Sequence, residues 1–362
     1  MLKQSTKSIA SRHFLPSISY LFFLFLCFLF LPPSVSAATL LTGAGKLWGW
    51  DSATSSVSGG AGNHSCAVVG GGVKCWGSNN TGQLGNNSTT NISTAVDVKD
   101  NAGTANLAGI SAVGTGANHT CALTTVGGVK CWGSNQYGQL GDGSAAGSPI
   151  NKMLLPVDVT GLTSGVSAIA VGQNHTCALV SGGVKCWGTN GNGQIGDIAT
   201  AGGSGVGWGL TPVVIIRTTP SDVSGLGSGS GVVAIAAGDG HSCALMNNTQ
   251  VKCWGWNNFG QLGNGTTVDT VQPFTNPTDV VTNTTGPVYL TNVIALGAAL
   301  GHTCALISGG GVKCWGMNVL GRLGDGTTTE RHLPVDVVTN TTGPVLLSGA
   351  TELAVGATHQ CH

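Results

Sequence analysis

The chain has 362 residues, of which 8% are charged, with 14 basic and 14 acidic side chains. An average soluble domain contains about 25% charged residues. The formal net charge of zero provides no positive field for phosphates, so the composition argues against nucleic acid as a partner. The 60 glycines interrupt the apolar residues at short intervals, which is typical of many short strands joined by turns.

The amino-terminal segment has the pattern of a secretory signal. Three basic residues precede the apolar run Tyr20–Leu31, and the small residues 35–37 form a cleavage site. The alternative is an uncleaved membrane anchor, but an anchor needs about 20 apolar residues to span the bilayer. We therefore predict a signal peptide over residues 1–37. The remaining residues 38–362 are expected to be secreted or at the cell surface, with no stable membrane span after cleavage.

One module occurs five times in the rest of the chain. Each copy contains His-Ser/Thr-Cys-Ala, then Val-Lys-Cys-Trp-Gly, then Gly-Gln-Leu/Ile-Gly, with Arg322 replacing Gln in the fifth copy. The spacings between successive module histidines are 55, 56, 66 and 61 residues. A repeat of this size is typical of a propeller blade.

Each module predicts about four strands. The apolar runs Val166–Val171 and Val232–Ala237 are too short for helices and end at turn residues, so we expect buried inner strands. The two cysteine-containing segments then form a hairpin. The run Leu155–Val159 contains a proline, which suits an edge strand because proline lacks one ladder hydrogen bond.

The cysteine spacing tests this hairpin. Cys66 and Cys75 are nine residues apart, so pairing them leaves Gly70–Gly71 as a two-residue turn. Pairs ten residues apart leave three-residue turns such as 308–310. Directly opposed strand residues have Cα atoms about 4.5 to 5.5 Å apart, which is within disulfide range. An exported chain favours oxidised cysteines. The predicted disulfides are Cys66–Cys75, Cys121–Cys131, Cys177–Cys186, Cys243–Cys253 and Cys304–Cys314.

The recurring His and Cys residues also allow a chemical interpretation. Each module offers three metal-type ligands, but structural zinc uses four. A nucleophilic Cys–His pair is a further alternative, although the same site in five copies argues for a structural role. We therefore expect no catalytic residue, no cofactor and no metal. The module tryptophans are expected to pack between neighbouring modules, where apolar burial stabilises the fold.

The repeated motifs resemble the regulator of chromosome condensation repeat. The resemblance rests on Gly-x-x-His-Thr/Ser-Cys-Ala-Leu, Gly-Gly-Val-Lys-Cys-Trp-Gly-x-Asn and Gly-Gln-Leu-Gly, and it spans Gly45 to the carboxyl terminus. The loop at 324–335 is similar to exported bacterial forms of the family. This resemblance implies an all-β fold, a β-propeller of four-stranded blades. We expect six or seven blades, with the sixth module cut short.

The two ends of the repeat region depart from the family pattern. At the amino-terminal end, Leu47 stands where the family has Cys, and at the other end the sequence stops in mid-hairpin after Cys361. In one interpretation the two ends share a closing blade, so that Cys361 faces Leu47 as a free thiol. In the other the chain is truncated, which an unpaired thiol in an exported protein favours.

The residues that vary between copies are the candidates for binding. Loops on a rigid scaffold commonly carry binding residues, and aromatic side chains are favoured anchors. The candidates are Tyr137, Trp208, Trp256, Phe259 and Phe274. We expect a non-catalytic binding or scaffold propeller for a protein or cell-surface polymer. The resemblance also implies an alternative, a guanine-nucleotide exchange regulator of a small GTPase, against which the predicted export argues.

Overall fold

The computed structural model describes residues 57–59, 62–144, 151–197, 215–267, 274–286, 288–340, 342, 344–356 and 360–361. The predicted signal peptide and Leu47 lie outside these residues. The described part forms five four-stranded antiparallel sheets with strands in chain order, which we number as blades 1 to 5, and a two-stranded sheet.

Blade 1 contains β1 (Val57–Gly59), β2 (His64–Val69), β3 (Gly72–Gly77) and β4 (Ile92–Asp97). Blade 2 contains β5 (Ile110–Thr115), β6 (His119–Thr124), β7 (Val129–Ser134) and β8 (Lys152–Asp158). Blade 3 contains β9 (Val166–Val171), β10 (His175–Val180), β11 (Gly183–Thr189) and β12 (Ile216–Asp222). Blade 4 contains β13 (Val232–Ala237), β14 (His241–Met246), β15 (Val251–Gly255) and β16 (Phe274–Asp279). Blade 5 contains β17 (Val293–Ala299), β18 (His302–Ile307), β19 (Gly311–Gly316) and β20 (Arg331–Asp336). The two-stranded sheet contains β21 (Ala354–Val355) and β22 (Gln360–Cys361).

The first strands of successive blades lie side by side, since β5 contacts β9, β9 contacts β13 and β13 contacts β17. This arrangement is that of a β-propeller, in which the first strands are innermost. The all-β propeller architecture is thus confirmed, and the two runs expected as inner strands are β9 and β13. The short sheet β21–β22 stands at the place of the sixth module. The only helical element among the described residues is a 3₁₀ turn at Val319–Gly321.

The predicted hairpins are present in register. Cys66 pairs with Cys75 across β2 and β3, and the turn residues Gly70 and Gly71 have φ values of 58° and 77°. Such positive values are those of a two-residue hairpin turn whose twist matches the strands. In blade 5, Ile307 pairs with Gly311 and leaves the expected three-residue turn. The structure joins all five cysteine pairs as disulfides, with 4.1 Å between the Cα atoms of each pair.

The two faces of each blade pack against different neighbours. The disulfide Cys66–Cys75 of blade 1 is buried in one cluster with Ala122 and Trp132 of blade 2. The same contact recurs at the next three interfaces, with Trp187, Trp254 and Trp315. All four of these tryptophans are 0% exposed. The expected role of the tryptophans between blades is therefore confirmed.

One backbone carbonyl at each of these interfaces accepts two side-chain donors from the next blade. The Gln139 carbonyl accepts from Trp187 Nε1 at 2.9 Å and from Thr176 Oγ1 at 3.4 Å. Since the Thr176 hydroxyl donates its proton there, it accepts from His119 Nε2, which lies 3.0 Å away. Two adjacent blades are thus linked at one point by three hydrogen bonds. The same arrangement recurs at the other three interfaces, with Gln83, Thr120 and His64, with Gln194, Ser242 and His175, and with Gln261, Thr303 and His241.

The last glycine of Gly-Gln-Leu-Gly gives the next tryptophan its space. Gly141 has φ of 71°, and a Cβ added there would lie 2.7 Å from Trp187 Nε1. No real Cβ tolerates such an approach without movement of its neighbour. A side chain at this position would therefore push two blades apart.

Candidate functional site

Two kinds of connection lie at the same end of each blade, because neighbouring strands are antiparallel. One is the turn between the first and second strands, and the other is the longer loop between the third and fourth strands. In blade 2 they meet directly, where Ser134 N donates to the Asn118 carbonyl at 2.8 Å. We call this end of the propeller the loop face. It contains the loops whose sequences vary most between copies.

A buried asparagine holds each loop in shape, and in blades 1 to 4 a buried glutamine does so as well. In blade 2, Asn135 Oδ1 accepts from Leu140 N at 3.1 Å, and Gln139 Oε1 accepts from Tyr137 N at 2.8 Å. Both Asn135 and Gln139 are 0% exposed. The equivalent asparagines accept from the backbone N–H five residues later in every blade: Asn79, Asn190, Asn257 and Asn318.

This role of the asparagines was missed in the sequence, although an Asn follows Trp-Gly-x in every copy. The variable residues of each loop therefore stand on a fixed, hydrogen-bonded base. Such a base suits binding, because little conformational entropy is lost when a partner docks.

The structure brings two of the five candidate binding residues together. Trp256 and Phe259 of blade 4 pack edge to face, with ring centroids 5.2 Å apart and an interplanar angle of 76°. Tyr137 occupies the Phe259 position in blade 2, and all three side chains are half-buried. Phe274 lies in β16 opposite Gly255, and its side chain is outside the described residues. Trp208 also lies outside the described residues.

The module histidines are buried between blades. Desolvation and, to a smaller extent, the neighbouring His64 and His175 lower the pKa of His119 to about 3. Burial likewise lowers the pKa of His64 and His175 to about 4. These rings are therefore neutral at neutral pH.

In the part of the chain that the structure describes, no group of three or more His, Cys, Asp or Glu residues could hold a metal ion.

A lysine and an aspartate pair across the third and fourth strands of every blade. In blade 2, Lys130 Nζ lies 2.6 Å from Asp158 Oδ1. The other pairs, at 2.6 to 2.8 Å, are Lys74–Asp97, Lys185–Asp222, Lys252–Asp279 and Lys313–Asp336. The sequence predicted an edge strand for the run that contains Asp158, but not the lysine partner of this aspartate. The pairs use five of the 14 basic and five of the 14 acidic residues.

These observations define a class of protein: an all-β repeat propeller whose repeated residues build the blades and whose longest variable loops lie on one face. The sequence pattern of the Regulator of chromosome condensation (RCC1) repeat matches residues 71–123, 127–179, 181–245 and 250–306. A second pattern for the same repeat matches residues 110–139, 166–194 and 232–261. The chain belongs to the RCC1 repeat family.

Two curated relatives show how this family is used in longer proteins. The chain is 30% identical over 280 residues to the Ultraviolet-B receptor UVR8 of Arabidopsis thaliana, covering 75% of this chain and 55% of UVR8. It is also 30% identical over 282 residues to the human E3 ubiquitin-protein ligase HERC2, covering 75% of this chain but 5% of HERC2. The chain therefore spans about half the length of UVR8 and a small part of HERC2.

Solved structures agree on the fold. Human WBSCR16 superposes with a TM-score of 0.63 at 24% identity, covering 84% of this chain and 70% of that one. Prp20p of Saccharomyces cerevisiae superposes with a TM-score of 0.50 at 19% identity, covering 79% of this chain and 77% of Prp20p.

Among the described residues, no helix has the length and apolar character needed to cross a membrane.

Proposed function

We propose that this chain is an exported, non-catalytic binding propeller that presents its loop face to a protein or cell-surface polymer. The observation that carries the proposal is that, within each module, the repeated residues have structural roles and the variable residues are left for binding. The repeated Asn and Gln side chains hold the loops through buried hydrogen bonds, and the side chains that differ between copies project from that base. Such a division is typical of scaffolds that recognise other molecules.

Two features support export. The sequence pattern of residues 1–37 is that of a signal peptide. Five cysteine pairs joined within blades are consistent with an extracellular protein, because thiols in the cytosol are kept reduced.

The absence of catalysis is proposed from the repetition itself. Each module uses its cysteines in a disulfide and its Lys and Asp in an ion pair, and the histidines of blades 1 to 4 bond to a hydroxyl of the next blade. The repeated polar residues are therefore engaged within the scaffold.

The alternative function is regulation of guanine-nucleotide exchange on a small GTPase. Prp20p, which shares this fold at 19% identity, has binding properties to Gsp1p and histones. An exchange regulator would have to meet its GTPase inside the cell. An assay of nucleotide release from a small GTPase with the purified chain separates the two functions, because the binding propeller should not accelerate release.

The direct test replaces two loop-face aromatic residues. Substitution of Tyr137→Ala and Phe259→Ala together should weaken binding of the purified chain to intact host cells by about tenfold or more, as expected for aromatic anchors. The fold should be retained, because both side chains lie on the surface of the loops. Asn192→Thr, at the same loop position in blade 3, is the matched control. Unchanged binding of the double variant would remove these residues as anchors.

A further inference from the structure

Two adjacent blades differ from the other three at matched positions of the loop face. The residue after Trp-Gly is Ser or Thr in blades 1 to 3, but it is Trp256 in blade 4 and Met317 in blade 5. Two residues after the loop asparagine, blades 1 to 3 have Thr, Tyr and Asn, whereas blades 4 and 5 have Phe259 and Leu320. Apolar side chains are therefore concentrated in one part of the loop face.

These apolar side chains form a continuous surface across the two blades. Trp256 contacts Phe259 edge to face at 5.2 Å. A Cβ added at Gly301 of blade 5 would lie 3.1 Å from Phe259 Cδ2 and 3.3 Å from Met317 Cβ, so both side chains cover the same turn. Val319 and Leu320 follow in the blade 5 loop, where they are 55% and 80% exposed. The blade 4–5 sector consists of Trp256, Phe259, Met317, Val319 and Leu320.

The blade 5 loop holds its exposed leucine in an unusual conformation. In blade 4, Gln261 Oε1 accepts from Phe259 N at 2.9 Å. Arg322 replaces this glutamine in blade 5, and its guanidinium can only donate. Arg322 Nε donates to the Val319 carbonyl at 2.9 Å, and Leu320 has φ of 66°. The peptide between Val319 and Leu320 thus presents its carbonyl to residue 322, where the other loops present an N–H.

Positive φ costs free energy for a residue with a Cβ atom. The Arg322 substitution therefore holds an apolar side chain in solvent in a strained backbone. Strain that is maintained by surrounding contacts is a feature of binding sites.

An acidic residue without an ion pair lies beside the sector. Asp239 Oδ2 accepts from Gln173 Nε2 at 3.2 Å, while its Oδ1 is buried and has no hydrogen-bond partner among the described residues. Burial raises the pKa of Asp239, which shows that its charge is poorly solvated. The next residue is Gly240, where an added Cβ would lie 3.2 Å from Trp256 Cβ. Asp239 therefore directly precedes a residue whose backbone packs against Trp256.

A second carboxylate lies at the outer side of the sector. The backbone of His332 packs against Gly260, the residue that follows Phe259. Glu330 Oε1 lies 3.3 Å from His332 Nε2, and its side chain is 45% exposed. The apolar surface thus has an acidic group on each side of the Trp256–Phe259 pair, which complements a basic ligand.

We propose that the blade 4–5 sector binds a protein segment in which an apolar side chain stands beside a lysine or arginine. The apolar side chain would cover the surface between Phe259 and Leu320, and the cation would face Asp239 next to the Trp256 ring. This proposal rests on the proposed binding function and specifies the part of the loop face and the chemistry of its partner.

The test selects ligands from a random library of 12-residue peptides displayed on phage, with the whole chain as the target. The selected peptides should share an apolar residue beside Lys or Arg. Their affinity should fall about tenfold or more for the variant Trp256→Ser, Phe259→Thr and Leu320→Thr, which takes the residues of blade 1 at these positions. Thr81→Asn, the matched change in blade 1, should leave affinity unchanged.

Two single variants test the parts separately. Asp239→Asn retains an acceptor for Gln173 but removes the charge, so it should weaken only the peptides that carry a basic residue. Arg322→Gln restores the acceptor found in the other four loops, so Leu320 should leave its positive φ and affinity should fall several-fold. Thermal unfolding of each variant monitors the fold.

Four outcomes would overturn the proposal. If the selected peptides lose affinity for the Tyr137→Thr variant but not for the sector variants, the proposed function stands and its site lies in blade 2. Peptides insensitive to every loop-face variant would overturn both proposals. Peptides without basic residues, or a library without binders, would contradict the chemistry of the partner. Self-association of the chain that the sector variant abolishes would identify a second copy as the occupant.

Discussion

Thr176 shows how one hydroxyl links two blades, since it donates to the Gln139 carbonyl and accepts from His119 Nε2, both of which belong to the preceding blade. Thr176→Val keeps the side-chain shape but leaves the buried His119 donor without an acceptor. We expect a loss of about 1–3 kcal/mol in the free energy of unfolding, measured by urea titration. Thr176→Ser is the control, because blade 4 has Ser242 at this position. Equal stability of the Val and Ser variants would contradict the role of the hydroxyl.

The buried histidines predict how stability depends on pH. Their pKa values are lowered to about 3 in His119 and His241 and to about 4 in His64, His175 and His302, with burial as the main cause. The unfolded chain, whose histidines titrate near 6.5, therefore binds more protons than the folded chain below that pH. The stability that the neutral rings contribute is complete above pH ~6.5 and is lost progressively as the pH falls from there to the folded values.

Urea titrations at several pH values between ~6.5 and ~5 check this dependence, because carboxylates in the unfolded chain remain mostly charged in that range. Each histidine that titrates fully on unfolding adds a slope of about 1.4 kcal/mol per pH unit. The free energy of unfolding should fall as the pH is lowered. A constant value over this range would show that the rings are accessible to protons in the folded chain.

At the scale of the element, two glycines distinguish the energetic cost of a positive φ from the cost of overpacking at a blade interface. Gly141 and Gly161 have similar φ values of 71° and 74°, but only Gly141 lies against a tryptophan of the next blade. Gly161→Ala should cost about 1–2 kcal/mol from its positive φ alone. Gly141→Ala should cost a further ~1–3 kcal/mol, because its Cβ would overpack Trp187. Equal urea midpoints for the two variants would contradict the proposed role of Gly141.

The hairpins could be predicted from the sequence, whereas the loop conformations could not. The separation of Cys66 and Cys75 fixes both the register and the two-residue turn, so pattern and geometry agree. The loop in blade 5 has nearly the same motif as the others, yet Arg322 changes which atoms of the backbone it binds. Such a change depends on donors and acceptors in three dimensions, and spacing alone does not reveal it.

At the scale of the whole molecule, repetition made the fold and the burial of the tryptophans between blades predictable, but it left the polar contacts between blades unpredicted. The period, the four strands of each module and the packing of the tryptophans followed from patterns within one module. The bond from His119 to Thr176 and the approach of Phe259 to Gly301 join residues of different modules, so they depend on how the blades are placed side by side. The candidate site is likewise formed by residues of two neighbouring blades. The sequence identified Trp256 and Phe259 of blade 4 as candidates, but not the residues of blade 5 that lie beside them.

The central claim is that this RCC1-family propeller acts outside the cell, with its cysteines paired within blades. Non-reducing peptide mapping of the protein recovered from the exterior and from cell extract tests it most directly. We predict an exterior form that begins near Ala38 and contains the five disulfides joined in the structure. A chain that is found only inside the cell, with its first 37 residues retained and its thiols reduced, would contradict the account and favour regulation of a GTPase.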